Sequence, residues 1–97
     1  MTTGGRCAGK IVVVTGGARG QGAAEVEDLA REGASVYTVD LLDEEGRALA
    51  DRLTEEGYDV AYGHLDVTDP ADWEALAAEL SARHGRVDAL INNAGVG

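Results

Sequence analysis

The chain has a single cysteine, Cys7, a single lysine, Lys10, and no long apolar run. One cysteine excludes an internal disulfide and leaves no zinc-ligand spacing. Such sparing use fits a reducing, cytoplasmic setting. Eight basic residues stand against eighteen acidic ones, for a formal net charge of −10. A surface that neutralises phosphates needs the opposite balance, so nucleic acid and anionic membrane are both disfavoured as partners. No stretch approaches the roughly 20 apolar residues of a membrane span. The opening Met1-Thr2-Thr3-Gly4-Gly5-Arg6 lacks the apolar core of a signal peptide. Residues 1–9 therefore read as a flexible lead-in, and 10–97 as one small domain. A chain of this length buries only about two-thirds of its unfolded surface.

Glycine, in contrast, is plentiful, with 14 in 97 residues. The segment Ile11-Val12-Val13-Val14-Thr15-Gly16-Gly17-Ala18-Arg19-Gly20-Gln21-Gly22 reads as a buried strand, a glycine-rich turn and a helix start. Helix N-termini expose unpaired N–H groups and a partial positive charge, so this junction can hold a pyrophosphate without lysine. Gly16 permits the tight turn, Gly20 admits backbone to the phosphates, and Gly22 allows the helix to pack closely on the sheet.

Strands are expected at 10–15, 35–40, 59–64 and 87–92, and helices at 21–32, 43–56 and 70–84. Gly33, Gly57 and Gly85 supply the helix stops. Asp69 and Pro70 supply the clearest start. Trp73, Leu76, Ala77 and Leu80 make an apolar stripe on the third helix, and Gly46, Leu49, Ala50 and Leu53 repeat it on the second. Strands and helices alternating at these lengths give an α/β, Rossmann-type doubly wound parallel sheet. Right-handed crossovers predict strand order 3-2-1-4, with the first two helices on one face and the third on the other. Ligands then bind beyond the carboxyl ends of the strands, where the order reverses.

Four strand ends converge on that crevice. Asp40 lies 18 positions after Gly22 and can accept both hydroxyl hydrogens of an adenosine ribose while repelling a 2′-phosphate. That favours NAD over NADP. Leu41 follows it where a basic residue would have suited a phosphate, although Arg19 in the loop is within reach of one. Asp66 either bonds an adenine amino group, with Val67 packed on the ring, or caps the turn that follows. Asn92-Asn93-Ala94-Gly95 either admits a nucleotide close to backbone and ties strand ends together, or is a plain turn. His64 and His84 read as a strand end and a helix end, Trp73 as helix packing, and Cys7 as inert. Glu25, Glu27 and Asp28 read as a solvated helix face.

Taken together, Thr15-Gly16-Gly17-Ala18-Arg19-Gly20-Gln21-Gly22, Asp40, Asp66-Val67 and Asn92-Asn93-Ala94-Gly95 resemble the short-chain dehydrogenase/reductase family over nearly the whole chain. The run Asp40-Leu41-Leu42-Asp43-Glu44-Glu45-Gly46, with His64-Leu65-Asp66-Val67-Thr68 and Trp73, is similar to its bacterial hydroxysteroid dehydrogenases. The resemblance implies a dinucleotide held by Gly16, Ala18, Arg19, Gly20, Gln21, Gly22, Asp40, Leu41, Asp66, Val67, Asn93, Ala94 and Gly95. It also implies hydride transfer to or from an alcohol or ketone and, in a full-length form, a homo-oligomer. The family's catalytic Ser and Tyr-x-x-x-Lys follow the Asn-Asn-Ala-Gly segment. Here Tyr37, Tyr58 and Tyr62 are followed four residues on by Leu41, Tyr62 and Asp66, so the pair is absent and no catalytic residue can be named. The expectation is the N-terminal, NAD-binding part of an oxidoreductase without its catalytic half. The alternatives are a non-catalytic nucleotide-binding module, one piece of a split enzyme, or a truncated product with Leu90 and Ile91 on an open sheet edge.

Overall fold

Ile11-Val12-Val13-Val14 offers no polar face, so a strand built from it must be covered on both sides. The computed structural model, which describes residues 8–18 and 20–93, does this by placing it second from one edge of the sheet. The elements are β1 (Ile11–Thr15), α1 (Gly20–Arg31), β2 (Ser35–Asp40), α2 (Asp43–Glu55), β3 (Val60–His64), α3 (Pro70–Arg83) and β4 (Ala89–Asn92). The sheet runs β3-β2-β1-β4 with every pairing parallel, and all five residues of β1 are buried. The lead-in residues 1–7, with Cys7, lie outside the described residues, as do Arg19 and 94–97.

Each strand ends on the expected residue, and β1, β3 and β4 begin one or two residues late. The approach to β4 is held by a backbone bond, the Asp88 amide donating to the Ile11 carbonyl at 2.8 Å, and by the Asp88 side chain. Asp88 Oδ2 accepts from the Ile11 amide at 2.8 Å and from Arg86 Nε at 3.1 Å, fixing the lower ends of β1 and β4. Helix punctuation is as expected: Asp69 accepts from the Ala71 amide at 2.9 Å, Pro70 opens α3, and Gly33, Gly57 and Gly85 take positive φ beyond the three helices.

Alternation along the strands divides the core between two faces. Val12, Val14, Val36 and Val60 meet Val26 and Ala30 of α1 and Leu49, Ala50 and Leu53 of α2. Val13, Tyr37 and Val39 meet Leu76 and Leu80 of α3 on the other face. The distribution of helices is the one the crossover rule predicts. One stripe position differs. Ala77 is exposed, because α3 seats on Leu76 and Leu80 and leaves Ala77 in an apolar groove of about 170 Å³ beside Val87 and Leu90. Of the two residues placed on an open edge, Leu90 is exposed and Ile91 is half-buried against the α1 face.

Leu53 is fully buried at the centre of the α1–α2 face. Leu53→Ala should lower unfolding free energy by about 2–5 kcal/mol, the usual range for such a cavity. Urea unfolding followed by circular dichroism checks this, and a loss under about 1 kcal/mol would mean that α2 is not docked as described.

Candidate functional site

The glycine turn is strapped to the end of β2. Gly16, at φ 67°, donates its N–H to the Val39 carbonyl at 2.9 Å, and the Gly17 N–H approaches the same oxygen at 3.4 Å. A Cβ on Gly22 would run into the Gly16 carbonyl oxygen and lie 3.0 Å from the Gly17 Cα. The close packing expected of Gly22 is therefore against the turn itself, a correction to the expected contact with the sheet. Gly20 has φ 63° and open space around its Cα, with nothing within 4 Å of a Cβ built there. Gly17 has a role that sequence reasoning missed. Its Cα lies over the Thr38 hydroxyl, leaving no room for a Cβ, and that buried hydroxyl has no hydrogen-bond partner among the described residues.

The start of α1 suits an anion. Its first turn carries no acidic residue, whereas α2 opens with Asp43, Glu44 and Glu45 and α3 carries Asp72 in its first turn. In a chain this acidic, that leaves the N–H groups and dipole of α1 unneutralised. Gln21 is exposed on that turn and Gly22 is buried behind it. Helix N-terminus, open Gly20 and acid-free first turn together fit a diphosphate.

Asp40 faces the turn. Its Oδ2 accepts from the Ala18 amide at 3.1 Å, while Oδ1 accepts from Leu41 at 2.6 Å and Leu42 at 3.2 Å. A carboxylate has about four lone-pair sites, so Oδ2 still has acceptor capacity. Leu41 beside it is 56% exposed.

Asp66 takes the turn-capping role through Oδ1, which accepts from the Thr68 amide at 2.9 Å and the Thr68 hydroxyl at 2.7 Å. These bonds hold its carboxyl below the usual carboxylate range. Its second oxygen leaves the adenine role chemically open. Val67 is half-buried against the α3 core, and its carbonyl accepts from the Trp73 indole at 2.8 Å, which makes Trp73 a structural anchor for this turn.

The asparagines do tie strand ends together. Thr15 Oγ1 donates to Asn92 Oδ1 at 2.6 Å, and the Asn93 amide donates to the Thr15 carbonyl at 3.1 Å. Asn93 Nδ2 reaches Glu25 Oε1 at 2.6 Å, so Asn93's side chain joins β4 to α1. One member of the face read as solvated is thereby corrected: Glu25 makes that bridge. Glu27 stays on the exposed face, where it pairs with Arg31 of α1 at 2.6 Å and Arg52 of α2 at 3.1 Å. Ala94 and Gly95 of the same motif lie outside the described residues, as does Arg19 in the loop.

A second cluster went unread in the sequence. Tyr62 Oη lies 2.6 Å from Asp43 Oδ1 and 2.8 Å from the Asp40 carbonyl, and His64 Nδ1 lies 2.9 Å from the same Asp43 oxygen. Burial and the Asp43 carboxylate push the Tyr62 phenol up. Burial and Glu79 push Tyr37 up to about 12. Both shifts oppose what a tyrosine needs to exchange protons near neutrality.

Comparison with known proteins follows this geometry. A family model described as short chain dehydrogenase matches residues 10–97. The trans-4-hydroxycyclohexanecarboxylate dehydrogenase of Sinomonas cyclohexanicum is 45% identical over 97 residues, covering 94% of this chain and 38% of that protein. The 3-alpha-(or 20-beta)-hydroxysteroid dehydrogenase of Mycobacterium tuberculosis is 46% identical over 92 residues, covering 95% and 34%. The structure of menthone neomenthol reductase from Mentha piperita superposes with a TM-score of 0.82 at 34% identity, covering 90% of this chain and 32% of that one. The chain thus spans between a third and two-fifths of the length of the curated relatives named here.

The His64–Asp43 pair gives a signed pH dependence. Asp43 holds His64 above its ordinary 6.5, while Tyr62 and His64 hold Asp43 below 3.8. The histidine's contribution is complete below its unfolded value and lost as pH rises through the raised one. The carboxylate's contribution is present above its unfolded value and lost as pH falls through the lowered one. The pair is therefore strongest between about pH 4 and pH 6. With side chains 51% and 40% exposed, the effect is small and screened by salt. The melting-temperature advantage over His64→Gln should shrink from about pH 5.5 to about pH 8. An advantage that grows with pH over this range would contradict the pairing.

Proposed function

The chain belongs to the short-chain dehydrogenase family, and from that membership we propose that it holds the ADP-ribose half of NAD for an oxidoreductase. The observation that carries this reading is the Asp40 carboxylate, placed at the end of β2 and bonded to the Ala18 amide of the glycine turn. A negative charge there favours a ribose diol over a 2′-phosphate, hence NAD over NADP. The amides from Gly20 to Gly22, with Arg19 in the same loop, take the diphosphate, and Gly16 and Ala18 shape the turn. Leu41 covers the ribose, and Asp66 and Val67 frame the adenine. Asn93, with Ala94 and Gly95 of the same motif, is assigned to the cofactor as well. Bound nicotinamide supplies hydride exchange with the carbon of an alcohol or ketone.

The named relatives act, by their names, on a hydroxycyclohexane carboxylate and on hydroxysteroids. An alicyclic secondary alcohol or its ketone is accordingly the substrate class we assign. Residues 10–97 form the nucleotide-binding part, and the groups that exchange a proton with the substrate come from a segment outside this sequence. The tyrosines at 37 and 62 are unsuited to that role, since their surroundings raise both. The lone cysteine fits a cytoplasmic setting.

Titration of NADH fluorescence with the purified chain tests the reading. Saturable binding is expected, with NADPH at least about tenfold weaker. Asp40→Ala should weaken NADH by about tenfold or more, the scale of a hydrogen bond to a charged group, and narrow the gap to NADPH. No saturation at millimolar NADH, or NADPH binding as tightly as NADH, would overturn it.

A further inference from the structure

We propose that Tyr62 is a positioning residue for the cofactor's adenosine ribose: its hydroxyl pins both ends of the Leu41–Leu42 turn and so fixes the Asp40 carboxylate. The proposal rests on the dinucleotide reading above. The single Tyr62 Oη proton is shared between two acceptors, the carbonyl of Asp40, the last residue of β2, at 2.8 Å and Oδ1 of Asp43, the first residue of α2, at 2.6 Å. Between these anchors lie only Leu41 and Leu42, whose amides both donate to Asp40 Oδ1. The segment that would face the ribose is thereby closed into a loop by its own carboxylate on one side and by a phenol from β3 on the other.

Three features hold the phenol in place. His64 occupies the same Asp43 oxygen and keeps that carboxylate turned toward β3. Arg47 lies over the Tyr62 ring, 5.8 Å from its centroid. Gly46 leaves room for the ring, since a Cβ at that position would strike it. A glycine inside a helix is less favourable than alanine, which sets a cost against the ring's position here. The Asp40 carbonyl also accepts from the Leu65 amide at 3.0 Å, so the strand pairing survives without the phenol and the loop alone loosens.

Tyr62→Phe keeps the ring and removes the hydroxyl. Calorimetric titration of the full chain with ADP-ribose and with its 2′-deoxyadenosine counterpart separates positioning from packing. The variant should bind ADP-ribose about threefold to tenfold more weakly, the range one hydrogen bond supports. It should bind the deoxy compound nearly as before, so that discrimination between the two shrinks. Faster amide exchange at Leu41 and Leu42 is expected alongside. Unchanged discrimination, or equal losses for both ligands, would overturn the proposal. If the unsubstituted chain binds neither ligand, the dinucleotide reading fails. Exchange at Leu41 and Leu42 then decides the latch alone, and unchanged rates in Tyr62→Phe refute it.

Discussion

The carbonyl oxygen of Gly16 occupies the place where any side chain at position 22 would begin. This steric exclusion sets how far α1 advances over the end of β1. Because the helix cannot retreat without losing the packing of Val26 and Ala30, its first turn is held directly above the strand end. The turn is held in its own right by the Val39 carbonyl, which receives the Gly16 amide. The helix dipole is thus aimed by backbone contact at the turn and by the packing of Val26 and Ala30 behind it. A lysine would add charge at that point but no such rigidity.

From that fixed turn the next constraint is electrostatic. Asp40 meets the Ala18 amide, so one carboxylate links the glycine turn to the residue that ends β2. Beyond it, Tyr62, Asp43 and His64 connect β2, α2 and β3 around a single carboxylate oxygen. Acids open α2 and are missing from the opening of α1. The two helix N-termini on the same face therefore differ in what they accept: α2 neutralises its own dipole, and α1 leaves its dipole available. Under the proposed reading, this asymmetry would tell the diphosphate end from the adenosine end before any side chain touches a ligand.

Strand ends were legible because β-branched runs stop at residues with a distinct physical task, Gly16 after β1 and Asp40 closing β2. Strand starts were less so, since Asp59 and Asp88 stand just before their strands yet already bond the neighbouring strand through both backbone and side chain. Helix faces followed from periodicity except at Ala77, whose small side chain carries too little apolar area to decide which way α3 rolls. Turn geometry was legible where it belongs to backbone, as in the positive φ of Gly16 and Gly20. The site was illegible wherever a task depends on register. Tyr62 reaches Asp40 only because β2 and β3 pair Asp40 with His64, and Glu25 finds Asn93 across 68 residues. No local pattern encodes either meeting.

Burial is unevenly shared across the sheet, and this bears on which half of a dinucleotide the described residues can grip. β1 and most of β2 are buried, whereas β4 runs exposed, exposed, half-buried, exposed. The turn, Asp40 and the Tyr62 cluster all stand on the ends of β1, β2 and β3, where elements are packed on both faces. On the β4 side the connection is narrower: Asn92 and Asn93 hold to Thr15 and Glu25. Rigid placement of donors is what turns hydrogen bonds into affinity, since ordering loose groups cancels much of the gain. The adenosine and diphosphate should accordingly supply most of the binding, with the nicotinamide end held weakly by these residues. That division would follow from the order β3-β2-β1-β4: β1 and β2 are each flanked on both sides, and in the proposed reading they carry the phosphate-binding turn and the Asp40 carboxylate.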